Sequence, residues 1–431
     1  MSKYFGTDGI RGIAGEELTA RTAFALGNAL CRLRKRPLVV AGQDTRTSSD
    51  MLSLALAAGV TAGGGRVLRG GVLPTAAVAY FVRRCGADFG VVVSASHNPA
   101  PYNGLKVFDG DGFKLSERLE ERAEKYFDEY AFAPALACGR CAQLPLRGGY
   151  VDFLASCCPA PLAGKTFVLD CANGAAGEFA PRAFQKLGAR VVVLSRGRNG
   201  AKINLRCGAL HPARMARAVK ECGADAGFAY DGDADRVIAA DEKGNIVDGD
   251  RILCVLAADL AARGGLPGML AVGTAHTNTG AERWLAARGI RLLRTDVGDR
   301  YVSEHMRRTG AAIGGEQSGH VILSAFSTTG DGILTSLRLA GLAAREKLSS
   351  LAAVPLLPQC TLGVRVRDKV RVLGSEGVRA AAERAGAEAE RLVVRASGTE
   401  PVIRVFAEAE SMRAASAAAE AVRAAILKEE G

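Results

Sequence analysis

One pattern limits what this chain can fold into: a short unit of sequence recurs three times in the same order. Gly-Ala-Asp-Phe-Gly at 86–90 leads into VVVSASH, Gly-Ala-Asp-Ala-Gly at 223–227 into FAYDGD, and Gly-Ala-Ala-Ile-Gly at 310–314 into GEQSGH. Each reads as a small-residue turn, a short strand and a polar loop. Ser96, Asp233 and His320 hold the same place, ten residues past the first glycine of each unit. A second echo precedes each one. Gly-x-Arg followed by two aliphatics occurs at 64–68, 188–192 and 289–293, as expected where a helix ends and a strand begins. Further upstream lie strand-to-loop passages at 38–46 (LVVAGQDTR), 167–174 (FVLDCANG) and 270–278 (LAVGTAHTN).

The repeat predicts three related α/β domains with mixed sheets, each with a loop at the C-terminal end of an equivalent strand. Ligands bind at that edge of open α/β sheets, so three such loops are expected to face one central cleft. The tail differs. TLGVRVRD, LVVRASG and PVIRVFAEAE read as strands and the Ala-rich segments between and after them as helices, a βαββα order that predicts a smaller C-terminal α+β domain. A chain of 431 residues supports about three or four domains. The expected divisions are 1–145, 146–250, 251–356 and 357–431, with linkers near 139–150, 250 and 354–360.

The function classes that composition excludes are few but useful. Net charge is +11, which suits an anionic partner. The positive residues are scattered, however, and no aromatic–basic interleaving points to nucleic acid. The longest apolar stretch, 252–262, contains Asp259 and is too short to span a bilayer. No secretory leader is read at the N-terminus, so the eleven cysteines are expected as reduced cytosolic thiols. Cys138-x-x-Cys141 lacks a properly spaced second pair in Cys157-Cys158, which argues against zinc.

The polar loops carry the chemistry. Asp231-Gly-Asp233-Ala-Asp235-Arg236 crowds three carboxylates, an arrangement a hard divalent cation relieves. A calcium loop of the EF-hand type is excluded because Arg236 occupies its glycine position. Ser94-Ala-Ser96-His97-Asn98-Pro99 lacks the nucleophile elbow of serine hydrolases. A serine there is better read as a phosphoryl carrier facing the cation. Lys106, ten residues on, suits a charge clamp or an acid/base group. Glu316 and Ser318 offer hydrogen-bonding groups to vicinal hydroxyls. Arg395, Ser397, Gly398, Thr399 and Arg404 form a natural phosphate cradle without the spacing of a Walker loop.

Together YFGTDGIRG, SASHNP, CANG, DGDADR, VGDRYV, GEQSGH, TTGDGI and RASGTEPVIRV resemble the α-D-phosphohexomutase family over nearly the whole chain, in the family's order. The resemblance implies four domains around one cleft and an isomerase that moves a phosphoryl group within a hexose phosphate. Glucosamine 6-phosphate and glucosamine 1-phosphate are the implied pair, with mannose or glucose phosphates as the alternative. It makes Ser96 a phosphoserine, places one Mg²⁺ among Ser96, Asp231, Asp233 and Asp235, and implies a 1,6-bisphosphate intermediate. It assigns Glu316 and Ser318 to sugar hydroxyls and Arg395, Ser397, Gly398, Thr399 and Arg404 to the non-reacting phosphate. Arg11, His97, Lys106, Arg236 and His320 take charge and proton transfer. A cytoplasmic enzyme is expected, with a homodimer as the assembly to test and neither nucleic acid nor membrane as partner. Ala234, Tyr102, Ala396 and 275–278 (AHTN) depart from the family's usual residues.

Overall fold

The computed structural model describes residues 4–6, 8–127, 137–145, 148–197, 199–397 and 401–430. It divides into two compact units, Met1–Thr277 with Arg288–Ala353, and Asn278–Ala287 with Val354–Gly431.

The larger unit contains three sheets. The first is built from β1 (Ile10–Ile13), β2 (Leu38–Gln43), β3 (Arg66–Val72), β4 (Phe89–Val93), β5 (Tyr102–Asp109) and β6 (Cys141–Gln143), in the order β1-β5-β4-β2-β3-β6. The second holds β7 (Thr166–Asp170), β8 (Arg190–Leu194), β9 (Ala226–Tyr230), β10 (Val237–Asp241) and β11 (Ile246–Val247), ordered β11-β10-β9-β7-β8. The third holds β12 (Leu270–Thr274), β13 (Arg291–Thr295), β14 (Ile313–Gly315) and β15 (Val321–Leu323), ordered β13-β12-β14-β15.

A four-stranded core recurs in all three. β2, β7 and β12 each pair in parallel with the two strands that follow them in sequence, and the fourth strand, β5, β10 or β15, closes antiparallel. The echoes in the sequence mark it: the Gly-x-Arg segments begin β3, β8 and β13, and the small-residue turns lead into β4, β9 and β14. The central strands are buried on both faces, which is why they read as unbroken apolar runs rather than alternating ones. The loops bearing Ser96, Asp233 and His320 are the connections from the last parallel strand to the antiparallel one.

The expected linker near 250 is instead the start of a helix, Gly249–Ala262, with Asp248 accepting from Arg251 N to cap it. Gly249 lies so close to the loop after β14 that a Cβ would fall 2.0 Å from Glu316 O. Packing against the neighbouring loop, not chain flexibility, sets this junction.

The smaller unit is a three-stranded antiparallel sheet, β16 (Gln359–Arg365), β17 (Arg391–Ala396) and β18 (Val402–Glu408), ordered β16-β18-β17. Helices Glu376–Glu388 and Met412–Glu430 pack on it around Val364, Val405, Val422 and Ile426. The helix Thr279–Ala286 also belongs to this unit. Asn278 caps it and exchanges two hydrogen bonds with the Leu357 backbone, both 2.9 Å.

Candidate active site

Ser96 sits at φ 51°, in the left-handed region. Its hydroxyl donates to Asp231 Oδ2 at 2.5 Å and lies 3.3 Å from His97 Nδ1. Its backbone is held from beneath. Ser96 N donates to Ser94 Oγ (2.9 Å), and Ser94 Oγ to Asp44 Oδ2 (2.6 Å). Arg46 uses all five of its guanidinium hydrogens: one on Asp44 at 2.8 Å, the others on the carbonyls of Ser96, Asn98, Pro99 and Tyr102 at 2.6–3.0 Å. Asn204, from the second domain, donates to Ser96 O at 2.8 Å. The two loops touch at Gly232, where a Cβ would fall 2.6 Å from Ser96 O.

The three carboxylates of the second loop are buried, and each offers an oxygen within 4.8 Å of the others. Among the described residues they are the one such group able to converge on an ion. Lys106 Nζ, 1% exposed, reaches Asp233 Oδ2 (2.9 Å), Asp235 Oδ2 (3.2 Å) and Asp8 Oδ2 (3.2 Å). Thr75 Oγ1 also donates to Asp233 Oδ2, at 2.6 Å. Asp233 Oδ1 and Asp235 Oδ1 are buried without a hydrogen-bond partner, the second 3.9 Å from Arg236 Nε. Two unused carboxylate oxygens beside a third carboxylate are a donor set suited to Mg²⁺. Burial, then Asp235 and Asp233, pushes Asp231 well above the usual carboxylate range. Burial works the same way on Asp235, but Lys106, His320 and Arg236 outweigh it and hold that group well below. The turn reverses at Ala234, φ 59°, so the departure at this position places a Cβ in left-handed backbone.

His320, in the third loop, lies 3.7 Å from both Asp235 Oδ2 and Asp299 Oδ2 and accepts from Gly330 N at 3.1 Å. Burial lowers its pKa, but Asp235, Asp299 and Glu316 prevail and raise it. Arg236 bridges to it through the backbone, joining the second and third domains. Burial opposes the charge of Lys106 too, yet Asp233, Asp235 and Asp8 keep its pKa well above that of a free lysine. Lys106 is therefore a fixed cation. His97 is the opposite case: burial, then Arg236 and Arg11, lowers it to about 4. Arg11, opposite Gly104 across β1 and β5, pairs with Asp8 and donates to Asn98 Oδ1 at 3.0 Å. Glu316 accepts from Gly298 N at 3.1 Å, and Ser318 Oγ is buried with no partner.

The larger unit thus brings Arg11, Ser96, His97, Lys106, the Asp triad, Arg236, Glu316, Ser318 and His320 onto three neighbouring loops and the strands beside them. In the smaller unit Arg395 and Arg404 are cross-strand partners on β17 and β18, both exposed. Ser397 N closes the hairpin on Val402 O at 2.8 Å, and Lys369 Nζ donates to Ser397 O at 2.7 Å. Gly398 and Thr399 lie outside the described residues. Reading the sequence missed Asp8, Asp44, Arg46, Thr75, Lys114, Asn204 and Asp299. Lys114 joins Asp8 to Asp299, tying the first domain to the third. Asp8, Asp44 with Arg46, and Asp299 lay inside stretches already singled out, YFGTDGIRG, 38–46 and VGDRYV, which was the available signal.

Comparison with known proteins agrees with this arrangement. Models of phosphoglucomutase/phosphomannomutase α/β/α domains I, II and III match residues 2–134, 148–244 and 248–356, and that of the C-terminal domain matches 342–425. A phosphoglucosamine mutase of Symbiobacterium thermophilum is 46% identical over 98% of this chain and 99% of its own length. The crystal structure of a phosphoglucomutase/phosphomannomutase family protein from Burkholderia thailandensis superposes with TM-score 0.84 at 28% identity, covering 100% of this chain and 98% of that one. An N-acetylphosphoglucosamine mutase of Aspergillus fumigatus, in complex with GlcNAc-6P and magnesium, shares the fold at TM-score 0.72 and 19% identity, over 100% and 96% of the two chains. No described helix is long and apolar enough to cross a membrane.

Proposed function

Because this chain belongs to the phosphoglucomutase/phosphomannomutase family, the α-D-phosphohexomutases, we propose that it interconverts glucosamine 6-phosphate and glucosamine 1-phosphate through a phosphorylated Ser96. The observation that carries the reading is Ser96 Oγ at 2.5 Å from Asp231, in a triad with two oxygens that accept no hydrogen bond. Asp231, Asp233 and Asp235, together with the serine phosphate, would hold Mg²⁺. Bound there, the cation withdraws charge from the transferring phosphoryl group.

The chain's own groups do the rest. The sugar's anomeric oxygen attacks phosphorus, the bond from phosphorus to Ser96 Oγ breaks, and a 1,6-bisphosphate forms. The hydroxyl proton needs an acceptor, a role we give to His97, 3.3 Å from Ser96 Oγ and neutral at pH 7. A dianionic phosphate beside it raises its basicity toward the useful range. Lys106 and Arg236 neutralise phosphoryl oxygens, Arg11 completes the positive lining, and His320, held by Gly330 N beside Asp235 and Asp299, takes part in proton transfer. Ser318, with its unpaired hydroxyl, and Glu316 bind sugar hydroxyls. After the intermediate turns over, its 6-phosphate returns to Ser96 by the same displacement reversed, and glucosamine 1-phosphate leaves. The non-reacting phosphate belongs to Arg395, Ser397, Gly398, Thr399 and Arg404. Their support is the placement of two exposed arginines as cross-strand partners on β17 and β18, with guanidinium forks that suit phosphate oxygens. A cytoplasmic enzyme of four domains, assembled as a homodimer, completes the proposal.

The test is intact mass and kinetics on one preparation. One phosphate on Ser96, lost on mixing with glucosamine 6-phosphate, is the expected result. The highest kcat/KM is expected for glucosamine phosphate over glucose and mannose phosphates. A chain that turns over substrate without ever carrying phosphate refutes the mechanism.

A further inference from the structure

A cavity of about 340 Å³ lies where the helix Thr75–Cys85, the helix Gly149–Ser156 and the segment 325–331 meet, one element from each α/β domain. Its walls are aromatic. Tyr80 and Phe153 stack with ring centroids 4.9 Å apart, and Tyr150 and Phe326 complete the lining. Arg83 and Arg84, in the last turn of their helix, form the exposed rim. Neither guanidinium has an acidic partner among the described residues. The one carboxylate in the wall, Asp331, is already engaged: it accepts from Tyr150 Oη at 2.6 Å and from Leu334 N at 2.9 Å. Ligand pockets start at roughly 300 Å³ and combine apolar walls with a few directed charges. Aromatic walls take a flat ring by offset stacking, and guanidinium forks take phosphate or carboxylate oxygens.

Both arginines and Tyr80 stand on a helix whose first residue is Thr75. Thr75 donates to Asp233 twice, from Oγ1 at 2.6 Å and from its backbone N at 3.0 Å. Segment 325–331 likewise faces the cavity with Phe326 and grips His320 through Gly330 N at 3.1 Å. The inner ends of two cavity walls are thus hydrogen-bonded to two groups of the candidate active site.

We propose that this cavity is a regulatory site for a planar aromatic ring bearing an anionic group, of mononucleotide size, and that filling it changes turnover through Thr75 and Gly330. The ring lies against the stacked Tyr80–Phe153 pair and Phe326, and the anion meets Arg83 and Arg84. A ligand that spreads the three elements moves a short rigid helix, and with it the residue that orients Asp233.

Calorimetric titration of the full chain with UMP and AMP tests the site. Uridine supplies a ring without the anion, and inorganic phosphate the anion without a ring. Saturable binding of a nucleoside monophosphate, tighter than either part and weakened about tenfold or more in an Arg83→Ala/Arg84→Ala variant, is expected. The variant keeps wild-type basal turnover, because neither arginine touches the candidate active site. The nucleotide shifts the turnover of the wild type at least about twofold and leaves the variant unchanged. No saturable binding below about 5 mM, equal affinity in the variant, or displacement by sugar phosphate overturns the site. Binding without a change in turnover overturns the coupling. The titration does not depend on which sugar is turned over, so its failure is separate from failure of the assigned reaction.

Discussion

Ser96 is gripped by two buried clusters of charge built to opposite plans. Beneath its backbone, Asp44 and Arg46 leave nothing unused: Asp44 accepts four hydrogen bonds, and the Arg46 guanidinium donates five. Around its side chain, three carboxylates crowd together with two oxygens that accept no hydrogen bond. A satisfied ion pair fixes geometry, whereas an unsatisfied one invites a ligand. The contrast separates the brace from the site without appeal to any relative.

The contrast can be broken most severely at the hydroxyl both clusters serve. Ser96→Ala is expected to lower turnover on the order of 10³-fold or more, with the fold intact by circular dichroism. Turnover near wild type would end the carrier role. In the triad, Asp231→Asn removes a carboxylate that burial and its neighbours already oppose. The metal-free variant is expected to melt above the metal-free wild type, while Mg²⁺ affinity falls at least about 10²-fold, as calorimetry reads. The brace predicts the reverse sign. Arg46→Ala strands Asp44 and four carbonyls and is expected to destabilise the chain by about 3–5 kcal/mol in urea unfolding, with Mg²⁺ present or absent. A stable Arg46→Ala variant would mean the brace is ornamental.

A third buried carboxylate sharpens the comparison by pH. Burial raises Asp331 to about 6, despite its cap and its bond from Tyr150. Its protonated form is favoured in the fold, so its stabilising contribution is complete below about pH 4 and lost as pH rises through 6. The loss is about 3 kcal/mol at most. Stability of the wild type relative to Asp331→Asn is therefore expected to fall between pH 4 and 7. A flat difference contradicts the assignment. The smallest effect belongs to Ala234, whose φ of 59° holds a Cβ in left-handed backbone. Ala234→Gly relieves that strain and adds up to about 1 kcal/mol of stability, measured as melting temperature.

What could be read in the sequence followed the same division. The triad, Ser96 and His320 were legible because each lies in a short loop at one position of a repeated unit. The repeat also anticipated the three parallel-plus-antiparallel sheets. The brace and the Asp8–Lys114–Asp299 chain were not legible, because their partners are assembled across long stretches of sequence. Asn204 bonds Ser96 from 108 positions away, and Lys114 reaches Asp299 from 185. No local spacing encodes such contacts. The junction near 250 misled for a related reason: a capped helix packed on a distant loop looks, in sequence, like a glycine-containing break. The grouping of Thr279–Ala286 with the smaller unit likewise depends on Asn278 meeting Leu357.

Lys106 has a consequence for how the molecule comes together. It is carried by the first domain, but two of its three carboxylate partners, Asp233 and Asp235, are carried by the second. Each domain, folding by itself, presents an unmatched charge to water at the surface where the other will dock. Docking is thus drawn by opposite fields and sealed by dehydration, and its rate should fall as salt is added while the finished contact resists it. Assembly of the domains and assembly of the reactive centre become one event, so a misdocked intermediate would be inactive and would carry stranded charge.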